Sequence, residues 1–469
     1  MKKFERAFFI LILLCSGFLL SAETADSAPV QPGTETAENV IDSYPGSAVA
    51  DMQSADKNYL LAIVNSQFSN LFLFSVNRFI GRTEFSKISI GSIRENFSNP
   101  WQWDQSQFVT NQLGHPYQGS FYYVAGRANN LNLYESALLT VAGSLVWEIG
   151  CERSRSSLND LIVTTFGGIS LGEILHRLFL EVYYAGSPLA FILSPMDGFN
   201  MLVSGTKPPD PGRKIHSLSL TAGGGYALAE GIQPDAGMLH MGTIRTGVEV
   251  VYGSPFDTGV PVRDPFSHFE LTLNAGGGYP LFYDVQLFTD GMLFSFVPLT
   301  SSGHKANIGM SLLFDCIWTG NVNFSSAALA ATAKYRYDFT ETVFFESRFH
   351  AGWMMLGASN MFIDDESAVR NYGTGCNVKM DIAFCFSRFG TLRITGLWYG
   401  MVMINTEYTS YGDMVSCTYA KASYSIPLTD KMALGISDTF IWEESFFSKY
   451  SSARRWTNSA DLFLEWKLI

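Results

Sequence analysis

The sequence predicts an α+β chain: a mostly helical N-terminal domain, periplasmic or acting as a plug, followed by an antiparallel transmembrane β-barrel of about twelve strands. Three observations carry this. From residue 215 onward, apolar and polar residues alternate over segment after segment, the period-two signature of strands with two unlike faces. The chain is 47% hydrophobic and 16% charged, with 37 Phe and 21 Tyr, which is too apolar and aromatic for an ordinary secreted enzyme. No stretch after the N-terminal run holds ~18 uninterrupted apolar residues, so no helical anchor is expected there. A barrel that turns alternate side chains to lipid reconciles the three.

The elements follow in chain order. Lys2, Lys3 and Arg6 precede an apolar run at residues 7–20, and Leu20, Ser21 and Ala22 supply a small-residue cleavage site. Residues 1–22 therefore read as a secretory signal peptide. Cys15 raises a lipoprotein signal as the alternative, but Leu14 stands where a small residue belongs. Residues 23–54, rich in Ala, Ser, Thr, Pro and Gly, read as a disordered linker. Residues 55–205 carry a helical pattern, and a second linker at 206–214 contains T-K-P-P-D-P-G, which neither a helix nor a central strand can continue through.

Residues 215–469 are the barrel. In the last segment Leu462, Leu464, Trp466 and Leu468 share one face, while Asp461, Glu465 and Lys467 share the other. Val378, Met380, Ile382 and Phe384 oppose Asn377, Lys379 and Asp381 in the same way. Segments are expected near 215–228, 237–253, 266–279, 282–296, 305–319, 322–338, 342–356, 373–387, 390–405, 413–427, 431–443 and 456–469. Short turns at 338–341, 387–390 and 427–430 alternate with long loops at 358–372, 406–413 and 443–455, the asymmetry of outer-membrane barrels. The segment 254–267 breaks that rule, being long on the short side.

The net charge of -12 argues against nucleic acid as a partner. Cys151, Cys316, Cys376, Cys385 and Cys417 are odd in number and show no paired spacing, so neither a zinc site nor a disulfide framework is expected. No cofactor is expected either.

Chemistry, if any, belongs to the helical domain. Residues 108–113 and 117–129 read as arms around His115 and Pro116, with Pro tolerated in a first turn. Asn132 with Glu135, and Ser157 with Asp160, read as capping boxes. Glu173 and His176 lie three apart on one helix, a spacing that can present two metal ligands with His115 as a third, though such short matches are common and no metal is assigned. Gly168 and Gly172 form a G-x-x-x-G for close helix packing. Glu148 ends the apolar run S-L-V-W-E, so it needs a partner or a raised pKa, with Arg127, Arg153 and His115 as candidates.

The run N-Q-L-G-H-P-Y-Q-G-S-F-Y-Y-V-A-G-R at 111–127 resembles the hallmark of a widespread family of bacterial envelope proteins classed as a domain of unknown function. Glu135-Ser136, G-S-L-V-W-E at 143–148, Asn159-Asp160, Gly167-Gly168, Gly172-Glu173 and S-P-M-D-G-F-N at 194–200 continue the match in order over roughly residues 95–205. Met201 departs from it, standing where a basic residue is expected. The resemblance implies a helical domain attached to a barrel and supplies no activity.

Two functions compete. The first is a non-enzymatic outer-membrane barrel that forms a pore, handles lipid or organises the envelope, with Lys334, Arg336, Asp338, Arg348, Asp381, Glu465 and Lys467 turned into a polar lumen. The second is an envelope hydrolase acting on lipid or glycan, with His115 as general base oriented by Glu148 or Asp160. Neither a G-x-S-x-G elbow nor H-E-x-x-H is present. The remaining members of the polar cluster, binding or structural, are Asn111, Tyr117, Tyr123, Arg127, Glu152, Asn159 and Glu173. The expected partners are the outer-membrane bilayer and a lipid ligand, with the helical domain in the periplasm or the lumen.

Overall fold

The computed structural model describes residues 56–230, 237–254, 256, 261–279, 282–298, 300–301, 303–363, 367–404, 410, 412–449 and 452–469. The signal peptide and first linker lie outside these residues. Twelve strands close into one antiparallel barrel: β1 (Ile215–Glu230), β2 (Leu239–Tyr252), β3 (Phe269–Tyr279), β4 (Phe282–Phe296), β5 (His304–Thr319), β6 (Asn323–Asp338), β7 (Val343–Ile363), β8 (Ser367–Phe386), β9 (Thr391–Met403), β10 (Met414–Pro427), β11 (Met432–Phe446) and β12 (Ala453–Lys467). Each strand pairs with its sequence neighbours, and β1 closes on β12. Thr300–Ser301 adds a two-residue pairing on β5. The expected loop at 358–372 is largely strand, because β7 and β8 stay paired out to Ile363 and Ser367.

Alternation sorts the side chains as a membrane barrel requires. Arg393, Thr395, Lys421, Asp461, Glu465 and Lys467 line a lumenal cavity of about 310 Å³. Their neighbours Ile394, Leu462, Ile436 and Trp398 are exposed on the outer wall. The lumen itself has two halves. Along β9 the inward positions run Thr391, Arg393, Thr395 and then Leu397, Tyr399, Met401, Met403. Beginning at Leu397, and toward the end with the longer loops, inward side chains from β5 to β11 form one buried apolar cluster that includes Leu313, Phe324, Met354, Val415 and Ile441. The cavity is therefore a blind vestibule open toward the short-turn end.

The helices are α1 (Tyr59–Ser75), prolonged by a π-helical turn (Val76–Gly81), α2 (Ile90–Ser98), α3 (His115–Arg127), entered through a second π turn (Thr110–Gly114), α4 (Leu133–Gly150), α5 (Leu158–Tyr184), α6 (Ala190–Leu193) and α7 (Pro195–Ser204). The Asn132–Glu135 capping box forms as expected. The expected Ser157 box does not: its hydroxyl leaves the α5 N-terminus uncapped, and its N–H is donated to Glu148 Oε2 at 2.8 Å.

Four of these helices stand side by side. At the bundle's first end the Asn58 N–H donates to the Asn129 carbonyl and Lys57 pairs with Glu135. Midway, Asn70 Nδ2 donates to the Gly143 carbonyl at 3.1 Å. Gly119 of α3 meets Gly168 of α5 so closely that a Cβ on Gly119 would sit 2.0 Å from the Thr164 carbonyl oxygen. At ~1.5 Å per residue, α5 is about 40 Å long, enough to follow the barrel wall from end to end. Asn159 at its start bonds Tyr372, near the β7–β8 turn, and Arg177 near its end bonds Asp264 at the short-turn end. Asp264 and Pro265 thus serve as a clasp for the bundle.

The wall that the bundle covers is the outer one. Asp315 faces inward to Lys379 Nζ at 2.7 Å, so its neighbours Phe314 and Cys316 face outward. Those two pack with Val163, Phe108 and Leu113 of the helical region, alongside outward Val285, Leu287 and Tyr372. Ser170 meets Thr289 at 3.0 Å, and Ser325 donates to Gln112 at 2.6 Å. The plug expected for the lumen is not there among the described residues; strand side chains fill it.

Two helices of the bundle carry polar residues on their inner side and large apolar ones outside. Helix α1 buries Asn65, Ser66 and Asn70 and exposes Leu60, Ile63, Val64, Leu71 and Phe72. Helix α4 buries Ser136, Thr140, Ser144 and Glu148, one turn apart, and exposes Tyr134, Leu138 and Val146. Among the described residues two helices, Tyr59–Gly81 and Leu158–Tyr184, are long and apolar enough to cross a membrane by length and composition, and the second is mostly buried inside the protein. A search for uninterrupted apolar residues misses helices that place Asn and Ser on their inner face.

Candidate functional site

The predicted polar residues fall into two groups on α5, thirteen positions and so about 20 Å apart. Near the short-turn end, Glu173 is fully buried between two guanidinium groups. Arg127 Nε donates to it at 2.7 Å, Arg177 Nε at 2.7 Å and the Tyr123 hydroxyl at 2.8 Å. His176 turns away to Asp197 at 2.8 Å. The E-x-x-H pair is thus spent on separate partners and presents no metal site. Arg127 does not join His115, Glu148 and Asp160.

The second group lies at the opposite end, where the bundle meets the β7–β8 extension. Tyr372 ties it to the barrel: its hydroxyl donates to the Asp104 carbonyl at 2.7 Å and accepts from Asn111 at 3.0 Å and Asn159 at 3.2 Å. Asn159 also donates to Asp160 Oδ1 at 2.8 Å. His115 Nε2 stands 3.7 Å from that oxygen, beyond hydrogen-bond length. Glu152, two positions past the end of α4 at Gly150, accepts from Trp147 Nε1 at 2.7 Å and Ser154 Oγ at 3.1 Å. Tyr117 sits apart, edge-on to Phe121 at 5.2 Å.

No Lys or Arg among the described residues stands within ion-pair distance of Glu148, Glu152 or Asp160, so the expected countercharge for Glu148 is missing. Glu148 is 1% exposed and its Oε1 has no hydrogen-bond partner; neither has His115 Nδ1. Among the described residues no serine or cysteine bonds His115, so the hydrolase reading gains nothing from this arrangement.

Sequence reasoning missed Asp104 and Tyr372. The first lies outside the motifs singled out for chemistry, and the second lies in a segment read as loop. In the lumen, His268, Glu270 and Asp290 converge closely enough for a metal, but Lys334 Nζ already sits among them, 2.6 Å from His268 Nε2, 2.9 Å from Glu270 and 2.6 Å from Asp290. The ammonium takes the cation's place.

None of the curated proteins matches the chain. Solved barrels resemble it weakly: the NanC porin (10% identity, 53% of this chain and 100% of that chain, TM-score 0.27), the KdgM porin (10%, 53% and 98%, 0.23) and the Pseudomonas putida toluene transporter TodX (8%, 55% and 90%, 0.23). At these scores the likeness says nothing of what this chain binds or passes. The family resemblance stands on firmer ground: residues 100–195, which include His115, Glu148, Asp160 and all of α5, match the family model of DUF3943, a domain of unknown function.

Proposed function

We propose that this chain is an outer-membrane protein whose working part is the helical bundle, held beside the barrel at bilayer level to handle lipid, with the barrel as its anchor and not as an open channel. The carrying observation is the inverted α1, which keeps Asn65, Ser66 and Asn70 inside and presents Leu60, Ile63, Leu71 and Phe72 outside. A bundle in water would pay for that surface; one in hydrocarbon is stabilised by it. The helices also cover the strand face that elsewhere meets lipid. Short turns mark the periplasmic end of such barrels, so the His115 cluster lies toward the outer leaflet.

The test is depth-resolved quenching. Phe72→Cys and Leu138→Cys, labelled with bimane in proteoliposomes, are expected to be quenched by lipids brominated on their acyl chains. Native Cys376, exposed on the outer face of β8, is the reference. Quenching at Cys376 with none at positions 72 and 138 would put the bundle in water and end this reading.

A further inference from the structure

A charged group held against an apolar surface is unfavourable unless an opposite charge meets it. The wall of the vestibule meets most of its charges from within. Glu270 accepts from Lys334 Nζ at 2.9 Å and Arg348 Nε at 2.8 Å. Asp381 accepts from Arg348 at 3.0 Å and Arg393 at 2.8 Å, and Arg393 reaches on to Glu249. Lys379 holds Asp315, and Arg245 holds Asp284 and Asp461. Among the described residues two lysines of the wall stand outside these pairs. Lys467 is exposed at the rim, with Glu465 two positions away on the same face. Lys421 is half-buried at the floor. Tyr419, the next inward residue of β10, already belongs to the apolar cluster that closes the lumen.

Hydroxyl groups surround Lys421. Thr439 is its cross-strand neighbour on β11, and Ser423 with Ser437 forms the next inward pair toward the mouth. Ser425 follows on the same face. None of these four hydroxyls makes a hydrogen bond among the described residues. The carboxylates whose charge reaches Lys421, Glu249 and Asp461, are themselves held by Arg393 and Arg245. We propose that this floor binds a phosphate group, presented by a small hydroxyl-bearing molecule that enters from the short-turn end. Lys421 supplies the countercharge, and Ser423, Ser437 and Thr439 donate to the remaining oxygens. Phosphate is favoured over carboxylate because the guanidinium forks that grip a carboxylate are already taken. The group left open is a compact ammonium with rotatable donors. The cavity of about 310 Å³ lies at the small end of the ~300–1,000 Å³ of ordinary ligand sites, which suits a molecule of monosaccharide size.

The experiment uses the full-length protein in uncharged detergent micelles and phosphate-free buffer. Calorimetry follows titration with glucose 6-phosphate, glycerol 3-phosphate, inorganic phosphate and glucose. Saturable binding of a phosphate ester at one site per chain is expected, with no measurable heat from glucose. Lys421→Gln should weaken it on the order of tenfold or more. Lys57→Gln, on the bundle, should leave it unchanged. Tightest binding of glucose 6-phosphate assigns a sugar phosphate, and tightest binding of glycerol 3-phosphate assigns a lipid headgroup. The proposal is overturned if the wild type takes up neither ester, if glucose or inorganic phosphate binds as tightly as the esters, or if Lys421→Gln binds like wild type. Should Lys421→Gln fail to assemble, the double variant Ser423→Ala, Ser437→Ala decides in its place by the same loss of affinity. These results read the barrel alone, so they stand or fall apart from the lipid quenching of the bundle.

Discussion

At the scale of single residues, Glu148 and Glu173 show how burial alone does not define a role. Both are carboxylates with at most 1% exposure on neighbouring helices. Glu173 has two guanidinium partners and a phenol; Glu148 has one backbone N–H. Removing the charge at Glu173 strands Arg127 and Arg177, so Glu173→Gln should destabilise the assembled protein by about 3–5 kcal/mol. Glu148→Gln replaces a buried carboxyl that no protein cation balances and should leave the protein as stable or more so. Urea or thermal unfolding of both variants in micelles measures the contrast. Equal losses would mean that Glu148 has a counterion the contacts do not reveal.

At the scale of elements, helix α5 and strand β12 make complementary statements about packing and solvent. Gly119 lets α3 and α5 touch backbone to backbone. Gly119→Val should force them apart, with overpacking costing about 1–3 kcal/mol and lowering the yield of assembled protein. A variant that assembles and unfolds like wild type would show the contact to be loose. On β12, Glu465 lines the cavity and its neighbour Leu462 is exposed on the outer wall with Leu464 on the same face. Lys at Leu464 is expected to cost about 2–4 kcal/mol in a bilayer, whereas Ala at Glu465 should be tolerated. Equal tolerance at both would argue that the outer wall does not meet hydrocarbon.

At the scale of the whole molecule, the lumen and the bundle divide the work. The apolar cluster of Leu313, Met354, Tyr399, Met401 and Ile441 closes half of the barrel, and the vestibule of about 310 Å³ ends on it. Planar bilayers holding the wild-type protein should therefore show no steady conductance. Tyr399→Ala combined with Met401→Ala removes part of that seal and should open a measurable current; steady conductance in the wild type would instead restore the pore reading.

Sequence and tertiary structure determined different things about this protein. Period-two alternation determined about twelve strands and which residues share a face, because a strand's two environments are written in adjacent residues; the change along β9 from Arg393 to Met401 came only with the structure. The helical region, the Asn132 cap and the Gly168 contact were legible for the same local reason. What only the tertiary structure decided is where the helices go and which polar residues meet. Arg127 and Glu148 are both polar residues in apolar helices, yet the thirteen-residue spacing on α5 sends one to Glu173 and keeps the other with Asp160. Asp104 and Tyr372 join that second group from 268 positions apart in their hydrogen-bond pairing. The inverted bundle was hidden because a helix with Asn inside and Leu outside has the same periodicity as one with Leu inside and Asn outside. Periodicity reports two faces; only packing against the barrel's outer wall reports which of them meets lipid.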